Sequence, residues 1–324
     1  MWLLRLLKIA AVLTPIVPAP VGYLLCRLFG VLYYLGNKTV RASINHNLRH
    51  VVPHAGSWQR RILAARSCVT VVTNYYDLLR MRSVDRGSIQ SSVEIAGLEH
   101  IERAQQRGRG VIILSAHVGN FSVVARLSTE LGYTAALIAE KVEPPSLFSY
   151  KVRLRSAMGI EVIPPGASTV RRITRLLRSD GMLLVAGDRD VTGSGIPVRF
   201  FGTETPLPPG PIVLAMRTGA ALVPAYTVRS ASNRSRVVVG PELRLACTGD
   251  WEVDLRTNLQ RMASAMEPMI AADPGQWAVL QRVWPPTSQY GRSDGLGSAD
   301  PYADEIRPER DVQEHEPVEV SRAR

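Results

Sequence analysis

From residue 92 to residue 272, short apolar runs alternate with amphipathic stretches, which leaves few architectures open to the chain. Apolar runs of three to seven residues bounded by turn residues read as buried strands, and stretches at helical spacing between them read as crossover helices. On that basis strands are predicted at 93–96, 111–115, 134–138, 161–163, 182–186, 221–227 and 236–239. Helices are predicted at 98–106, 119–131, 146–158, 168–178, 209–217 and 251–272, with a long irregular stretch between 186 and 209. The expected fold is α/β: a central, mostly parallel mixed sheet flanked by helices, with an N-terminal membrane-associating helical region.

The N-terminal 36 residues are the most apolar part. Residues 9–26 carry no charge, which just reaches the length of a membrane span, but Pro15, Pro18 and Pro20 interrupt them. Two short apolar helices around a proline turn are therefore expected, lying in the membrane interface with Trp2, Arg5, Lys8 and Arg27 near headgroups. No small-residue cleavage site follows, so a retained segment is favoured over a signal peptide. Residues 57–81 read as a further helix with Ser57 as a possible cap and an apolar stripe from Trp58 to Leu79. Residues 37–56 between them read as a polar connector holding His46, His50 and His54. After Pro286 large apolar residues nearly vanish. The resulting division is 1–36 membrane-associating helices, 37–286 the α/β domain and 287–324 a disordered acidic tail.

The net charge is +11, and the tail's nine acidic and five basic residues leave +15 on residues 1–286. Arginine carries nearly all of it, since the only lysines are Lys8, Lys38, Lys141 and Lys151. A guanidinium suits planar recognition of phosphate or carboxylate. An anionic membrane or an acidic substrate fits better than nucleic acid, because no zinc finger, RNP-like motif or basic-region heptad is present. Three scattered cysteines give neither a disulfide framework nor a metal site. No metal or cofactor is expected.

Three clusters could carry chemistry. His117 follows directly from the strand at 111–115, at the carboxyl edge of the sheet, where α/β proteins bind ligands. An imidazole there can take a proton from a hydroxyl and so activate it as a nucleophile, provided a second group orients the ring. Asn120 stands ready to hold the loop or a substrate. Asp188, Arg189 and Asp190 follow the strand at 182–186: the carboxylates can orient a base or bind a substrate hydroxyl, and Arg189 can bind phosphate. Phe200 and Phe201 precede a turn containing Glu204, which reads as apolar walls beside a carboxylate.

The run Val93-Glu-Ile-Ala-Gly-Leu-Glu-His together with Gly110-Val-Ile-Ile-Leu-Ser-Ala-His-Val-Gly-Asn-Phe resembles the bacterial lysophospholipid and lipid A acyltransferase family. That family includes the lauroyl and myristoyl transferases of lipid A and the phosphatidylinositol mannoside acyltransferases. Further matches run in order: Asn74-Tyr-Tyr-Asp-Leu-Leu-Arg80, Gly187-Asp-Arg-Asp190, Phe200-Phe-Gly202, Leu207-Pro-Pro-Gly-Pro211, Arg217-Thr-Gly-Ala220, Gln276-Trp277 and Arg282-Val-Trp284. The resemblance spans residues 1–286. It implies acyl transfer from acyl-CoA or acyl carrier protein to a hydroxyl of a membrane glycolipid or lysophospholipid, on the cytoplasmic face of the cell membrane, by a peripheral or monotopic protein.

The resemblance also implies that His117 is the general base. The family's signature places an acid five residues after this histidine, where the chain has Ser122. One branch adds a glutamate after Phe-Phe-Gly, where the chain has Thr203 and then Glu204. Serine cannot supply the negative charge that stabilises an imidazolium. Glu204 is therefore the favoured partner of His117, with Asp188 or Asp190 as other choices. The alternatives are a catalytically weak or inactive lipid-binding relative, and a hydrolase of acyl thioesters.

Overall fold

The structure is a computed structural model that describes residues 2–81, 93–140, 143–164 and 168–285; the side chains of residues 2–4, 6 and 7 and the predicted tail at 287–324 lie outside what is described. Four helices come first: α1 (Trp2–Leu13), α2 (Ala19–Gly36), α3 (Lys38–Val51) and α4 (Ser57–Arg80). The alternating part follows as β1 (Glu94–Ala96), α5 (Leu98–Gln105), β2 (Val111–Ser115), α6 (Phe121–Glu130), β3 (Ala135–Ile138), α7 (Pro145–Ser156), β4 (Glu161–Ile163), α8 (Thr169–Arg178) and β5 (Met182–Ala186). A hairpin, β6 (Ile196–Phe200) and β7 (Thr203–Leu207), precedes α9 (Gly210–Thr218), β8 (Ala221–Arg229), β9 (Ser235–Val239) and α10 (Trp251–Ala272).

Seven strands form one sheet in the order β1-β9-β8-β2-β5-β3-β4. Five of them, from β8 to β4, run parallel, while β9 is antiparallel to β8 and pairs in parallel with β1. The mixed, mostly parallel sheet predicted from the alternation is therefore present. Both of its faces are covered, which explains why its central strands are continuously apolar. Ile112, Leu114 and Leu183 point into one core with Ile173, Leu177, Ile212, Leu259 and Met262. Val111, Ile113, Met182 and Leu184 point into the other with Ile101, Val124, Leu127, Tyr150 and Leu154. Each such side chain contributes about 1.5–3 kcal/mol when fully removed from water.

Two helices around a proline turn form at the N-terminus as predicted, with Pro20 in the first turn of α2, where its missing N–H costs nothing. Among the described residues α2 is the helix long and apolar enough to cross a membrane. Its buried stripe is Gly22, Cys26, Gly30 and Tyr34, and this stripe lies along α4. Gly30 is needed for that approach, because a Cβ there would stand 2.5 Å from the Val69 Cα. The rest of α2 leaves Val21, Leu24, Leu25, Leu28, Phe29, Leu32 and Leu35 exposed, beside Ile9, Val12 and Leu13 of α1 and Ile16 of the turn.

Two elements depart from the sequence reading. Residues 38–51 are a helix, not a connector. Two of its buried positions are polar, Ser43 and Asn47, which hides the apolar stripe. Asn47 is satisfied only by distant chain: its Nδ2 donates to the Gln281 carbonyl at 2.7 Å, and its Oδ1 accepts from the Val283 N–H at 3.0 Å. The stretch after β5 is not wholly irregular, since it contains the β6–β7 hairpin. Its turn residues, Phe201 and Gly202, both have positive φ, 48° and 74°. Tight hairpins with two such residues usually advertise themselves by Asn-Gly. Here the strain at Phe201 is held by its N–H donating to Glu267 Oε1 at 2.6 Å and by edge-on contacts with Phe200 and Trp284.

Candidate active site

Strands β2 and β5 are parallel neighbours, and their register pairs Ser115 with Ala186. Continuing each chain two residues past that pair brings His117 opposite Asp188. His117 Nδ1 lies 2.6 Å from Asp188 Oδ1, and the His117 backbone N–H donates to Asp188 Oδ2 at 3.0 Å. The Trp277 indole N–H donates to the same Oδ2 at 2.7 Å. Asp188 has 0 % of its side chain exposed and His117 has 35 %. The carboxylate is thus sealed behind the imidazole, and the imidazole opens to solvent.

Burial alone would raise the Asp188 carboxyl, and it is the largest single influence. The facing His117 ring and the hydrogen bonds from His117 and Trp277 together outweigh it and hold the group at about 2. An ionised carboxylate only accepts, so the Nδ1 of His117 carries a proton, and in the neutral ring Nε2 presents a lone pair. A ring oriented by a buried carboxylate, with the opposite nitrogen free to take a proton, is the geometry of a general base.

The loop bearing His117 is fastened on three sides. The Ala278 N–H donates to the His117 carbonyl at 2.7 Å, and the Gly119 N–H donates to the Gln276 carbonyl at 3.0 Å. Gly119 adopts φ 62°, and a Cβ there would stand 2.1 Å from the Thr227 carbonyl oxygen, so only glycine fits. From α4, Asn74 Nδ2 donates to the Gly119 carbonyl at 2.7 Å. The Gly119 N–H is committed to the Gln276 carbonyl and so is not free to serve as an oxyanion donor.

The predicted site residues divide. His117 and Asp188 meet. Ser122 lies in the first turn of α6, where its N–H donates to Asn120 Oδ1 at 3.0 Å. Asn120 is 1 % exposed. It caps α6 and donates through Nδ2 to Asp77 at 2.7 Å, so it holds the loop and has no face open to a substrate. Glu204 lies on the exposed side of β7, paired in register with Arg199, and the carboxylate bonded to His117 is Asp188 instead. Phe200 is fully buried, stacked 5.6 Å from Trp284, with Phe201 edge-on to it at 4.9 Å. Trp284 in turn packs edge-on to Trp277 at 6.3 Å, so the two phenylalanines back the indole that holds Asp188. Phe200 is therefore a buttress and not an open wall.

Arg189 pairs with Glu140 at 2.5 Å, just beyond β3. Asp190 accepts from the N–H groups of Thr192, Gly193 and Gly195 and shapes its own loop. Of the arginines on α7 and α8, Arg172 pairs with Glu161. Burial pushes the Arg155 guanidinium below its usual value, partly countered by Tyr75. Sequence reasoning missed Asp77, Trp277 and Gln276 as organisers of the loop. No group of three or more metal-ligating side chains occurs among the described residues.

Comparison with known proteins places this geometry in context. Over 213 residues the chain is 28 % identical to a phosphatidylinositol mannoside acyltransferase of Mycobacterium tuberculosis H37Rv, covering 64 % of this chain and 66 % of the relative. A counterpart from the CDC 1551 strain is 30 % identical over 193 residues, 59 % of each chain. One from Mycolicibacterium smegmatis is 27 % identical over 248 residues, covering 74 % of this chain and 78 % of the relative. The match thus spans just under two thirds of the length of the first relative and about three fifths of the second. The family model for bacterial lipid A biosynthesis acyltransferases matches residues 1–285, and the chain belongs to that family.

Proposed function

We propose that this protein transfers a fatty acyl group from an acyl thioester, acyl-CoA or acyl carrier protein, to a hydroxyl of a membrane glycolipid. A phosphatidylinositol mannoside is the acceptor class favoured by the relatives' names. The observation that carries the reading is the 2.6 Å contact between His117 Nδ1 and the buried, ionised Asp188. His117 Nε2 takes the hydroxyl proton as the oxygen attacks the thioester carbonyl. The tetrahedral intermediate then expels the thiolate, which recovers the proton from the imidazolium. Asp188 stabilises that imidazolium and fixes the tautomer. A carboxylate in this position supports the catalytic reading over the lipid-binding alternative, which rested on Ser122.

Arg155, half-buried on α7, is the cation we assign first to a substrate phosphate. Arg189 is the second, with the phosphate displacing Glu140. The exposed apolar face of α1 and α2 supports a reading in which the acceptor is met at the bilayer surface, on the cytoplasmic side where acyl thioesters are made.

The test is turnover by purified protein in lipid vesicles, read by mass spectrometry, with acyl-CoA or acyl carrier protein and mannosylated phosphatidylinositol. His117→Ala is expected to abolish acylated product while binding to vesicles persists. Undiminished product from His117→Ala would overturn the general-base assignment. Free fatty acid formed at full rate without acceptor would make the protein a thioester hydrolase. Lipid binding with no turnover under any donor would make it a non-catalytic relative.

A further inference from the structure

Between α2, α4, β8 and the reactive loop lies a polar cluster that the chemistry above does not use. Its centre is Asp77, on α4 and 5 % exposed. Oδ1 accepts the Tyr23 phenol of α2 at 2.9 Å. Oδ2 accepts Asn120 Nδ2 at 2.7 Å and also the Arg229 guanidinium of β8. Arg80 donates to the Tyr23 oxygen at 3.2 Å and stands over the Tyr23 and Tyr76 rings, and Arg229 also stands over the Tyr23 ring. Burial and the Asp77 charge push the Tyr23 phenol up to about 12, so it remains a donor.

The cluster reaches the His117 loop by two routes. Asn120 ends that loop and caps α6, and its own N–H donates to Thr227 Oγ1 at 2.6 Å. Arg229 is clasped by Gln276: its N–H donates to Gln276 Oε1 at 2.8 Å, and Gln276 Nε2 donates to its carbonyl at 2.7 Å. Gln276 also accepts the Gly119 N–H. Asp77 therefore grips both sides of the segment that carries the proposed base, and ties it to the helix with the exposed apolar face.

We propose that Asp77 is a positioning residue that fixes the His117 loop, through Asn120 and Arg229, to the α2–α4 helix pair. The proposal deepens the acyltransfer reading and rests on it for its kinetic consequence. Asp77 touches no reacting atom. It acts by holding the loop end, so its loss shifts His117 relative to a bound thioester. A displacement of about 1 Å at a reacting group can cost about 10²-fold in rate.

Two variants and two readouts test this. Asp77→Asn keeps the shape and removes the charge facing Arg229. Asn120→Ser keeps a side chain able to cap α6 and removes the amide that reaches Asp77. Both are expected to lower kcat by about 10- to 100-fold with KM for donor and acceptor within about threefold of wild type. Both are expected to raise deuterium uptake across 117–123, while the strand at 182–186 stays protected. If Asp77→Asn does not fold, Asn120→Ser decides alone. A folded Asn120→Ser protein with wild-type kcat and unchanged uptake at 117–123 overturns the proposal. Should the wild type show no turnover, the acyltransfer reading falls, and the uptake comparison still judges the link between Asp77 and the loop.

Discussion

At the scale of single residues, Asp188 is the carboxylate that stands behind the histidine we propose as base. Three donors converge on Asp188, and no water reaches it, so its charge is committed to the imidazole. Replacing it with asparagine keeps the size but removes the charge and lets the amide dictate a wrong tautomer. By analogy with the same substitution in serine protease triads, Asp188→Asn is expected to lower kcat by about 10²- to 10⁴-fold with little change in KM, measured by steady-state acylation. A stability effect follows from the depressed carboxyl. Its folded value of about 2 lies below the ordinary value near 3.8, so ionisation favours the folded state above pH ~4. That contribution is lost as pH falls from about 4 through 2. Urea unfolding across pH is expected to show a wild-type advantage over Asp188→Asn that is constant above pH ~5 and shrinks below pH ~4. A gap that widens on acidification would contradict it. None of this was legible at Ser122 or Glu204, where the sequence drew attention. The two partners are 71 residues apart, and only the pairing of β2 with β5 brings them together.

At the scale of elements, the ends of β2 and β5 were both read correctly from the sequence, at Ser115 and Ala186. What local pattern did not supply was that these strands are neighbours. Given that adjacency, equal strand lengths make the two-residue overhangs meet. Local pattern failed where long-range contacts replace local signals. Asn47 is buried in α3 because it binds the segment at 281–283, and the β6–β7 turn tolerates Phe201 because Glu267 and Trp284 hold it. The segment from Pro274 to Trp284 recurs in most of these contacts. It supplies Trp277 to Asp188, Gln276 to Gly119 and Ala278 to His117, and so serves as a strap across the sheet edge. The fit of strap, loop and β8 is tightest at Gly119. Gly119→Ala meets both a positive φ and the Thr227 carbonyl, and is expected to cost about 2 kcal/mol or more. Denaturant unfolding checks that cost, and activity is expected to fall further than the folded fraction accounts for, because the backbone next to His117 must move.

At the scale of the whole molecule, most of the exposed large apolar side chains among the described residues gather in one region. Ile9, Val12, Leu13 and Ile16 continue into Leu24, Leu25, Leu28, Phe29, Leu32 and Leu35, while the opposite stripe of α2 is packed on α4. A helix packed along its length on α4 presents an exposed apolar face without leaving the fold, so the membrane seat we propose is interfacial and not crossing. This packing also changes which experiment is informative. Removing residues 1–36 would strip the cover from Cys68 and Ala64 and take Tyr23 from Asp77, so lost activity would say nothing about membranes. Point changes on the outer face avoid this. Leu24→Glu with Leu28→Glu leaves the α4-facing stripe intact and replaces two side chains that are 64 % and 52 % exposed. Each leucine buried in a bilayer contributes about 1.5–3 kcal/mol, so the pair is expected to weaken vesicle binding by at least about 100-fold. Thermal unfolding in solution should remain within a few degrees of wild type. Because the attraction is chiefly apolar, wild-type sedimentation with vesicles is expected to persist at 1 M salt, where the Debye length is only about 3 Å. Unchanged binding by the double variant, or release of the wild type by salt alone, would assign the attachment to the arginine-rich surface and not to α2.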